Sequence, residues 1–335
     1  MKKYLLKETG KFYKANLHMH TNISDGSMSV EETKRAYQEK GYSIVAYTDH
    51  ELMVPHNELS DENFLAITST EISINENINC DFRYLKTYHL NLYSSEKDIT
   101  EFKLFNKNAI WFEHGHKYVT EEQRKIHYER KYDVESINEI IRIANEENFL
   151  VSYNHPVWSL QDYSDYIGLK GLWGVEWHNY ASSGDGYVDS IQPIDDLLRK
   201  GERVFPLATD DAHLLKHCFG GFVMVKADNL EYDTIFNALK NGDFYSSTKP
   251  EIYELYIEDG IVNIKTSKVK EIHLTTECRY TKSAHDTNGL TETRFDINDY
   301  LNRDDNINEY QYIRLYIVDF EGNKAYTRAY FKEEL

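Results

Sequence analysis

The sequence changes from a β-type pattern to a His-x-His pair within one short stretch, Phe12-Tyr13-Lys14-Ala15-Asn16-Leu17-His18-Met19-His20. Residues two apart on a strand point to the same side, so both imidazoles of this pair can reach one ion. Similar changes recur along the chain, at Ser24-Asp25-Gly26, Thr48-Asp49-His50, Glu71, Tyr88-His89-Leu90, Asn154-His155-Pro156 and Asp211-Ala212-His213. Imidazoles and carboxylates gathered at strand ends indicate a multinuclear site for ions such as Zn²⁺, Mn²⁺ or Fe²⁺.

Short runs rich in β-branched and aromatic residues predict the strands of the sheet. These runs are Phe12–Met19, Ser43–Thr48, Phe64–Ser69, Thr87–Tyr93, Phe149–Tyr153, Gly174–Trp177 and Arg203–Ala208. The alternation of strands with helices fits either a barrel or an open parallel sheet. Ligand residues at several strand ends favour the barrel, because the carboxyl ends of barrel strands converge on one mouth.

Helical patterns separate these strands. A capping box, Ser29-Val30-Glu31-Glu32, opens one helix, and Gly41 is placed to end it. Apolar residues recur at helical spacing from Val134 to Ala144, and 191–200 and 232–240 have helical patterns followed by glycine.

The character of the chain changes after Ser246-Ser247-Thr248-Lys249-Pro250. Asp259-Gly260 and Glu321-Gly322-Asn323 each lie between β-type runs and predict two hairpins. We therefore predict two domains, residues 1–248 and a small β-sandwich-like domain at 249–335. Within the second domain, His273 and His285 are isolated in the sequence and are not assigned to a metal.

The composition is that of a soluble protein, with 41% hydrophobic and 28% charged residues in 335. No apolar run approaches the roughly 20 residues of a membrane span, so we expect no membrane partner and a cytoplasmic location. Three widely spaced cysteines, Cys80, Cys218 and Cys278, argue against disulfides and a thiolate metal cage. We expect these cysteines to be buried or half-buried.

A formal net charge of −18 argues against a stable complex with long nucleic acid. A small phosphorylated substrate remains compatible with this charge, because bound divalent ions add local positive charge. The segment from Lys103 to Lys131 is locally basic and is either a wall that attracts anions or a solvated helix face. The sequence leaves the oligomeric state open.

The ordered motifs resemble those of the PHP (polymerase and histidinol phosphatase) superfamily of metal-dependent phosphoesterases. That family has His-x-His followed by Ser-Asp-Gly, then Thr-Asp-His, a histidine beside proline, and Asp-x-His, and the likeness covers roughly residues 12–248. The tail is similar to the PHP branch that has a C-terminal β-domain and includes carbaryl-hydrolase-like metallohydrolases. The resemblance implies an α/β fold, a distorted (β/α)7 TIM-like barrel with a small C-terminal all-β domain.

The resemblance also implies two or three divalent metal ions, Zn, Mn or Fe. The implied ligands are His18, His20, Glu71 and Asp211 for one ion, Glu71 shared with His89 and His155 for a second, and Asp25, His50 and His213 for a third. Glu71, Asp211 and His213 are the implied catalytic residues.

Other polar residues near the motifs are candidates for supporting roles. We expect Asp49 to orient His50, because metal-binding imidazoles commonly donate to a carboxylate. Asp210 has either a similar role or that of a solvated loop acid. The predicted substrate contacts are His178, Asn179, Lys216 and His217. The pair His114 and His116 contacts substrate, binds an extra metal or belongs to an exposed loop.

The expected activity is hydrolysis of a small phosphate monoester or diester by a metal-bridged hydroxide. The first alternative is a metallohydrolase of carbamate, ester or amide bonds, since the same hydroxide can attack a carbonyl. The second is a catalytically idle PHP domain that serves as a binding module.

Overall fold

A computed structural model describes residues 2–302 and 310–335. Its strands are β1 (Lys2–Tyr4), β2 (Lys11–Asn16), β3 (Ile44–Tyr47), β4 (Leu65–Asn75), β5 (Thr87–Ser94), β6 (Phe149–Tyr153), β7 (Gly174–Asn179), β8 (Phe205–Thr209), β9 (Phe222–Ala227), β10 (Phe244–Ser247), β11 (Ile252–Glu258), β12 (Ile261–Thr276), β13 (Thr281–Asp296), β14 (Tyr312–Val318), β15 (Lys324–Thr327) and β16 (Tyr330–Phe331). Its α-helices are α1 (Val30–Glu39), α2 (Val134–Glu146), α3 (Tyr163–Tyr166), α4 (Tyr180–Gly184), α5 (Gln192–Arg199), α6 (Tyr232–Asn241) and α7 (Asn298–Leu301). The predicted second domain includes residues 303–309, which lie outside the described part of the chain.

Strands β2 to β8 lie side by side in chain order. The pairs β2–β3, β3–β4, β6–β7 and β7–β8 are parallel, whereas β5 runs antiparallel to both β4 and β6. Six of these strands therefore end on the same side. At that side, Met19 just after β2 forms a parallel bridge with Ala212 just after β8. The bridge brings the first and last strand ends together.

The inner residues of these strands share one apolar core. Ala15 of β2, Ala46 of β3, Ile67 of β4 and Leu207 of β8 belong to the same buried cluster, which also includes Ile235 of α6. The architecture is mixed α/β with one large sheet. Strands β2 to β8 are the part of this sheet that matches the predicted strands, and their closure into a barrel stays a prediction.

All the strands predicted for the first 248 residues are present, with small shifts at their ends. The largest difference is at β4, which continues to Asn75 instead of ending at Ser69. Ile72 and Ile74 are buried, and this extension pairs with β5 through Ile72–Leu90 and Ile74–Tyr88. As a result, Glu71 lies within a strand and projects from it into the mouth.

The predicted helices are also present. The capping box is formed as expected, because the Glu32 N–H donates to Ser29 Oγ at 3.2 Å and the Ser29 N–H donates to Glu32 Oε2 at 2.9 Å. Helix α2 buries Ile137, Ile140 and Ile141 against the sheet. In the part of the chain that the structure describes, no helix has the length and apolar character to cross a bilayer.

The tail forms both predicted hairpins, β11–β12 and β14–β15. Its strands are joined to the rest of the sheet, since β15 pairs with β10 and β10 pairs with β9. Strand β1 pairs with β11 on the far side of the tail. The tail also shares a core with the first part of the chain, because Leu255 and Leu315 lie in one apolar cluster with Tyr37 of α1.

Strand β13 was not predicted, and it corrects one interpretation of the sequence. It folds back along β12 and places His285 opposite Glu271, which is two residues before His273 on β12. The histidines that looked isolated are therefore neighbours, with ring centroids 5.1 Å apart. The sequence hid this because 12 residues separate the two positions (285 − 273) and only the strand pairing brings them together.

Candidate metal centre

The side chains predicted to bind metal gather at the mouth where the parallel strands end. Their donor atoms form groups within 4.8 Å of one another: His18, His20 and Glu71; Glu71, His89 and His155; His18, His155 and Asp211; and His20, Asp25, His50 and His213. All are buried except Asp25 and His213, which lie at the open edge. The last group differs from the implied third set by including His20.

Glu71 lies at the centre of this arrangement. Its Oε1 lies 3.3 Å from His18 Nε2, 3.3 Å from His89 Nδ1 and 3.5 Å from His155 Nε2. Its Oε2 lies 3.3 Å from both His20 Nε2 and His50 Nδ1. A carboxylate with each oxygen among different imidazoles has the geometry of a bridging ligand.

Several atoms of the centre lack the partners that buried polar atoms normally have. Glu71 Oε2, Asp211 Oδ1, His20 Nδ1 and His50 Nδ1 are buried without a hydrogen bond. Leaving such an atom unpaired costs about 1–3 kcal/mol. Imidazole and carboxylate are also the donor types that divalent transition-metal ions select. The residues present therefore fit a group of such ions.

The electrostatics of the centre favour protonation of the imidazoles of His18 and His20. Burial lowers the pKa of His18, but Asp211, Glu71 and Glu176 outweigh burial and raise it well above its usual value. Burial likewise opposes protonation of His20, yet its carboxylate neighbours raise its pKa to about 10. Burial would raise the pKa of Glu71, but the surrounding histidines hold it well below the usual range. Protons and divalent ions therefore compete for the same atoms.

The centre forms the floor of an open cleft of about 530 Å³. Phe82, Trp111 and Trp158 form its walls, with the Trp111 ring 4.7 Å from that of His50 and the Trp158 ring 5.0 Å from that of His155. Among the described residues that line the cleft there is no lysine or arginine. These aromatic walls were not predictable, because nothing in the local sequence shows that the loops carrying them fold over the strand ends.

Comparisons with known proteins give distant similarities. No family model and no curated protein matches the chain. A two-domain protein from Bacteroides vulgatus, described as containing a predicted PHP-like metal-dependent phosphoesterase, is 14% identical, with 98% of each chain covered and a TM-score of 0.44. An amidohydrolase from Chromobacterium violaceum is 13% identical over 69% of this chain and 96% of its own, with a TM-score of 0.43. A lesion-specific endonuclease from Pyrococcus furiosus is 18% identical over 69% of this chain and 56% of its own, also with a TM-score of 0.43.

Glu176 is a central residue of this site that was not recognised from the sequence. Its Oε1 lies 2.7 Å from His18 Nδ1 and accepts from Thr209 Oγ1 at 2.6 Å. Its Oε2 accepts from the His155 N–H and from Asn179 Nδ2, both at 2.9 Å. Glu176 thus fixes the His18 ring with Nε2 toward Glu71. The sequence feature that could have indicated Glu176 is the presence of a carboxylate within the apolar run of β7.

Asp49 has a different partner from the one expected. It accepts from the Thr21 N–H at 2.7 Å, from Thr21 Oγ1 at 2.8 Å and from Ser24 Oγ at 2.7 Å. The expectation that Asp49 orients His50 is therefore wrong. Because β3 and β2 are adjacent, the carboxylate instead holds the turn that carries Asp25.

Asp210 is buried and is not a solvated loop acid. It accepts from Tyr37 Oη at 2.7 Å and from the N–H groups of Phe219, Gly220 and Gly221 at 2.8 to 2.9 Å. Burial raises the pKa of this carboxyl group despite the hydrogen bonds. Asp210 therefore anchors the loop after β8 and leaves Asp211 free to face the centre.

The predicted substrate contacts are placed in different surroundings. Asn179 donates to Glu176 and, at 3.2 Å, to Asp211 Oδ2. It therefore helps to position these two carboxylates. His178 is buried with Nδ1 2.9 Å from Asp189. Lys216 is exposed and His217 half-buried on a single 3-10 turn, and neither lines the cleft. Contact of these four residues with substrate stays a prediction.

Some residues of the basic segment from Lys103 to Lys131 already have partners within the protein. Arg130 is buried and pairs with Glu51 at 2.7 Å, and Lys125 pairs with Glu122. His114 Nε2 lies 2.8 Å from the Ser24 carbonyl oxygen, which fixes its loop to the turn that carries Asp25. The role of His116 stays open.

The cysteine expectations are met in part. All three are free, and Cys218 is buried, but Cys80 and Cys278 are exposed. The interpretation of these two as buried or half-buried is wrong, since each lies in a surface turn.

Proposed function

We propose that this chain is a metal-dependent hydrolase that cleaves a phosphate monoester or diester of a small molecule. The observation that carries the proposal is Glu71, whose two oxygens face five imidazoles at 3.3 to 3.5 Å. Two or three divalent ions bound among these donors would supply an activated water and neutralise charge on a phosphoryl group. Zn, Mn and Fe all suit the donor set.

The protein residues have distinct parts in this proposal. Glu71 and Asp211 would hold the ions from the buried side of the cleft, and Glu176 fixes the orientation of His18. His213 and Asp25 lie at the open edge, where a substrate enters, with His213 Nε2 3.5 Å from Asp25 Oδ2. Trp111 and Trp158 exclude water from the floor and offer apolar faces to the group attached to the phosphate.

One observation favours a second candidate, hydrolysis of an uncharged ester, carbamate or amide. The described lining of the cleft offers aromatic walls but no lysine or arginine to hold a phosphate. An aryl ester or carbamate would fit these walls without additional cations. In the phosphoesterase proposal the bound ions alone must neutralise the phosphate.

The test is hydrolysis by the full chain, with the metal content measured by elemental analysis. The protein is supplied with Mn²⁺ or Zn²⁺ and assayed on p-nitrophenyl phosphate, bis-p-nitrophenyl phosphate and p-nitrophenyl acetate. Turnover of either phosphate ester, with competitive inhibition by inorganic phosphate, supports the first candidate. Turnover of the acetate alone, indifferent to phosphate, selects the second. Metal binding without any turnover supports an idle binding module and overturns both.

A further inference from the structure

A second group of metal-type donors lies on the tail sheet and shares no residue with the centre. Glu271 and His273 are two apart on β12, and β13 places His285 opposite Glu271 and Ser283 opposite His273. Residues two apart and residues directly opposed across strands lie on one face of a sheet. The three donor side chains therefore project together.

The distances between donor atoms suit one ion. His273 Nε2 lies 3.0 Å from Glu271 Oε2, and His285 Nδ1 lies 4.0 Å from the same oxygen. One donor atom from each residue lies within 4.8 Å of the others. Ligands about 2.1 Å from a tetrahedral ion lie roughly 3.4 Å apart. The His273–Glu271 distance is close to this spacing, and His285 Nδ1 would have to approach Glu271 Oε2 by about 0.6 Å.

The surroundings of His273 orient it for metal binding. Its Nδ1 lies 2.9 Å from Ser283 Oγ, and its ring stacks on Tyr316 with centroids 4.5 Å apart and an angle of 14°. When Nδ1 donates its hydrogen to Ser283, Nε2 keeps the lone pair that a metal needs. A hydrogen bond of this kind is the usual support for a metal-binding histidine.

The remaining groups leave the ion position accessible. Glu271 pairs with Lys270 through Oε1 at 3.1 Å, while its Oε2 faces the two imidazoles. The His285 side chain is 57% exposed. An ion can therefore enter from solvent, and water can complete its coordination.

We propose that Glu271, His273 and His285 form a surface site for a divalent transition-metal ion such as Zn²⁺. Two imidazoles with one carboxylate suit Zn²⁺, Ni²⁺ or Cu²⁺ better than Mg²⁺ or Ca²⁺. The ion joins β12 to β13 next to a break in their register between Val269 and Glu271. It stabilises the hairpin and adds one ion to the total metal content of the chain.

Zinc binding by the full chain tests this site. Protein stripped with a chelator is dialysed against Zn²⁺, and bound zinc is counted by elemental analysis and by calorimetric titration. His285→Ala and Glu271→Gln are each expected to bind one zinc fewer than the unmodified chain, with hydrolysis unchanged. His127→Ala removes a histidine paired with Glu129 elsewhere and is expected to bind as much zinc as the unmodified chain.

Hydrogen exchange provides a second readout that does not depend on activity. Zinc is expected to slow amide exchange in residues 281–290 of the unmodified chain and to leave it unchanged in His285→Ala. Equal zinc content in the unmodified chain and both site variants, or equal slowing in His285→Ala, would overturn the proposal. Neither outcome bears on the function proposed for the centre.

Discussion

Two groups of histidines and carboxylates can be compared: the central donors, which line the candidate metal centre, and the tail donors Glu271, His273 and His285. The two groups are assembled in different ways. The central set comes from strand ends between positions 18 and 213 and is mostly buried. The tail set comes from one pair of strands and is partly exposed, with His285 at 57%. The first depends on the whole fold, whereas the second depends on the register of β12 and β13. Disturbing one ligand should therefore have a large effect at the centre and a local one in the tail.

The largest effect is expected from Glu71→Gln. The substitution removes the charge shared among five imidazoles, and we expect hydrolysis to fall by about 100-fold or more, with a loss of bound metal. Steady-state rates and elemental analysis measure this. Glu277→Gln is the matched control, a buried tail carboxylate that accepts from Tyr300 Oη and should leave both quantities unchanged. Full activity and metal content in Glu71→Gln would disprove the bridging assignment.

A smaller loss is expected from Glu176→Gln. Gln keeps an acceptor for Thr209 but cannot hold the His18 ring as a carboxylate does, so metal affinity should fall by about 10- to 100-fold. Competition titration with a chromophoric chelator measures the affinity. Excess metal should restore most of the activity, which a misfolded variant would not show. Glu202→Gln, at a surface carboxylate that accepts from the Gly171 N–H at 3.1 Å, is the control.

Trp111→Ala should act on substrate binding alone. Loss of the wall beside His50 should raise KM for an aryl ester by up to about tenfold, since aromatic contacts contribute about 0.5–1.5 kcal/mol. Metal content should stay the same. Tyr84→Ala, an aromatic residue outside the cleft lining and 72% exposed, is the control. A loss of kcat without a change in KM would assign Trp111 a different role.

The smallest effect on hydrolysis is expected from His285→Ala, which should leave kcat and KM within error of the unmodified chain. The same preparation used for zinc counting provides this measurement. A fall in activity comparable to that of Glu176→Gln would mean that the tail donors are coupled to the centre. The two groups of donors would then not be independent.

The parts of the fold that were predictable are those that local sequence controls. Short runs rich in β-branched and aromatic residues located the strands β2 to β8, and Ser29 with Glu32 located the start of α1. The partners of Asp49 and Glu176 were not predictable, because they depend on which strands are adjacent. Strand β13 was missed because its residues are mostly polar and exposed, so its pairing with β12 leaves little apolar pattern in the sequence. The aromatic walls depend on loop paths, which have no periodic pattern.

The bridge between Met19 and Ala212 has a consequence for the order of folding. Closing a loop between positions this far apart costs chain entropy, and contacts of this kind form late and slowly. Until β8 is in place, His18 and His20 lack Asp211, whose Oδ1 lies 3.1 to 3.2 Å from their Nε2 atoms in the folded chain. If the centre binds metal as proposed, tight binding would require complete folding, and the rate of metal uptake during refolding should follow the slowest folding step.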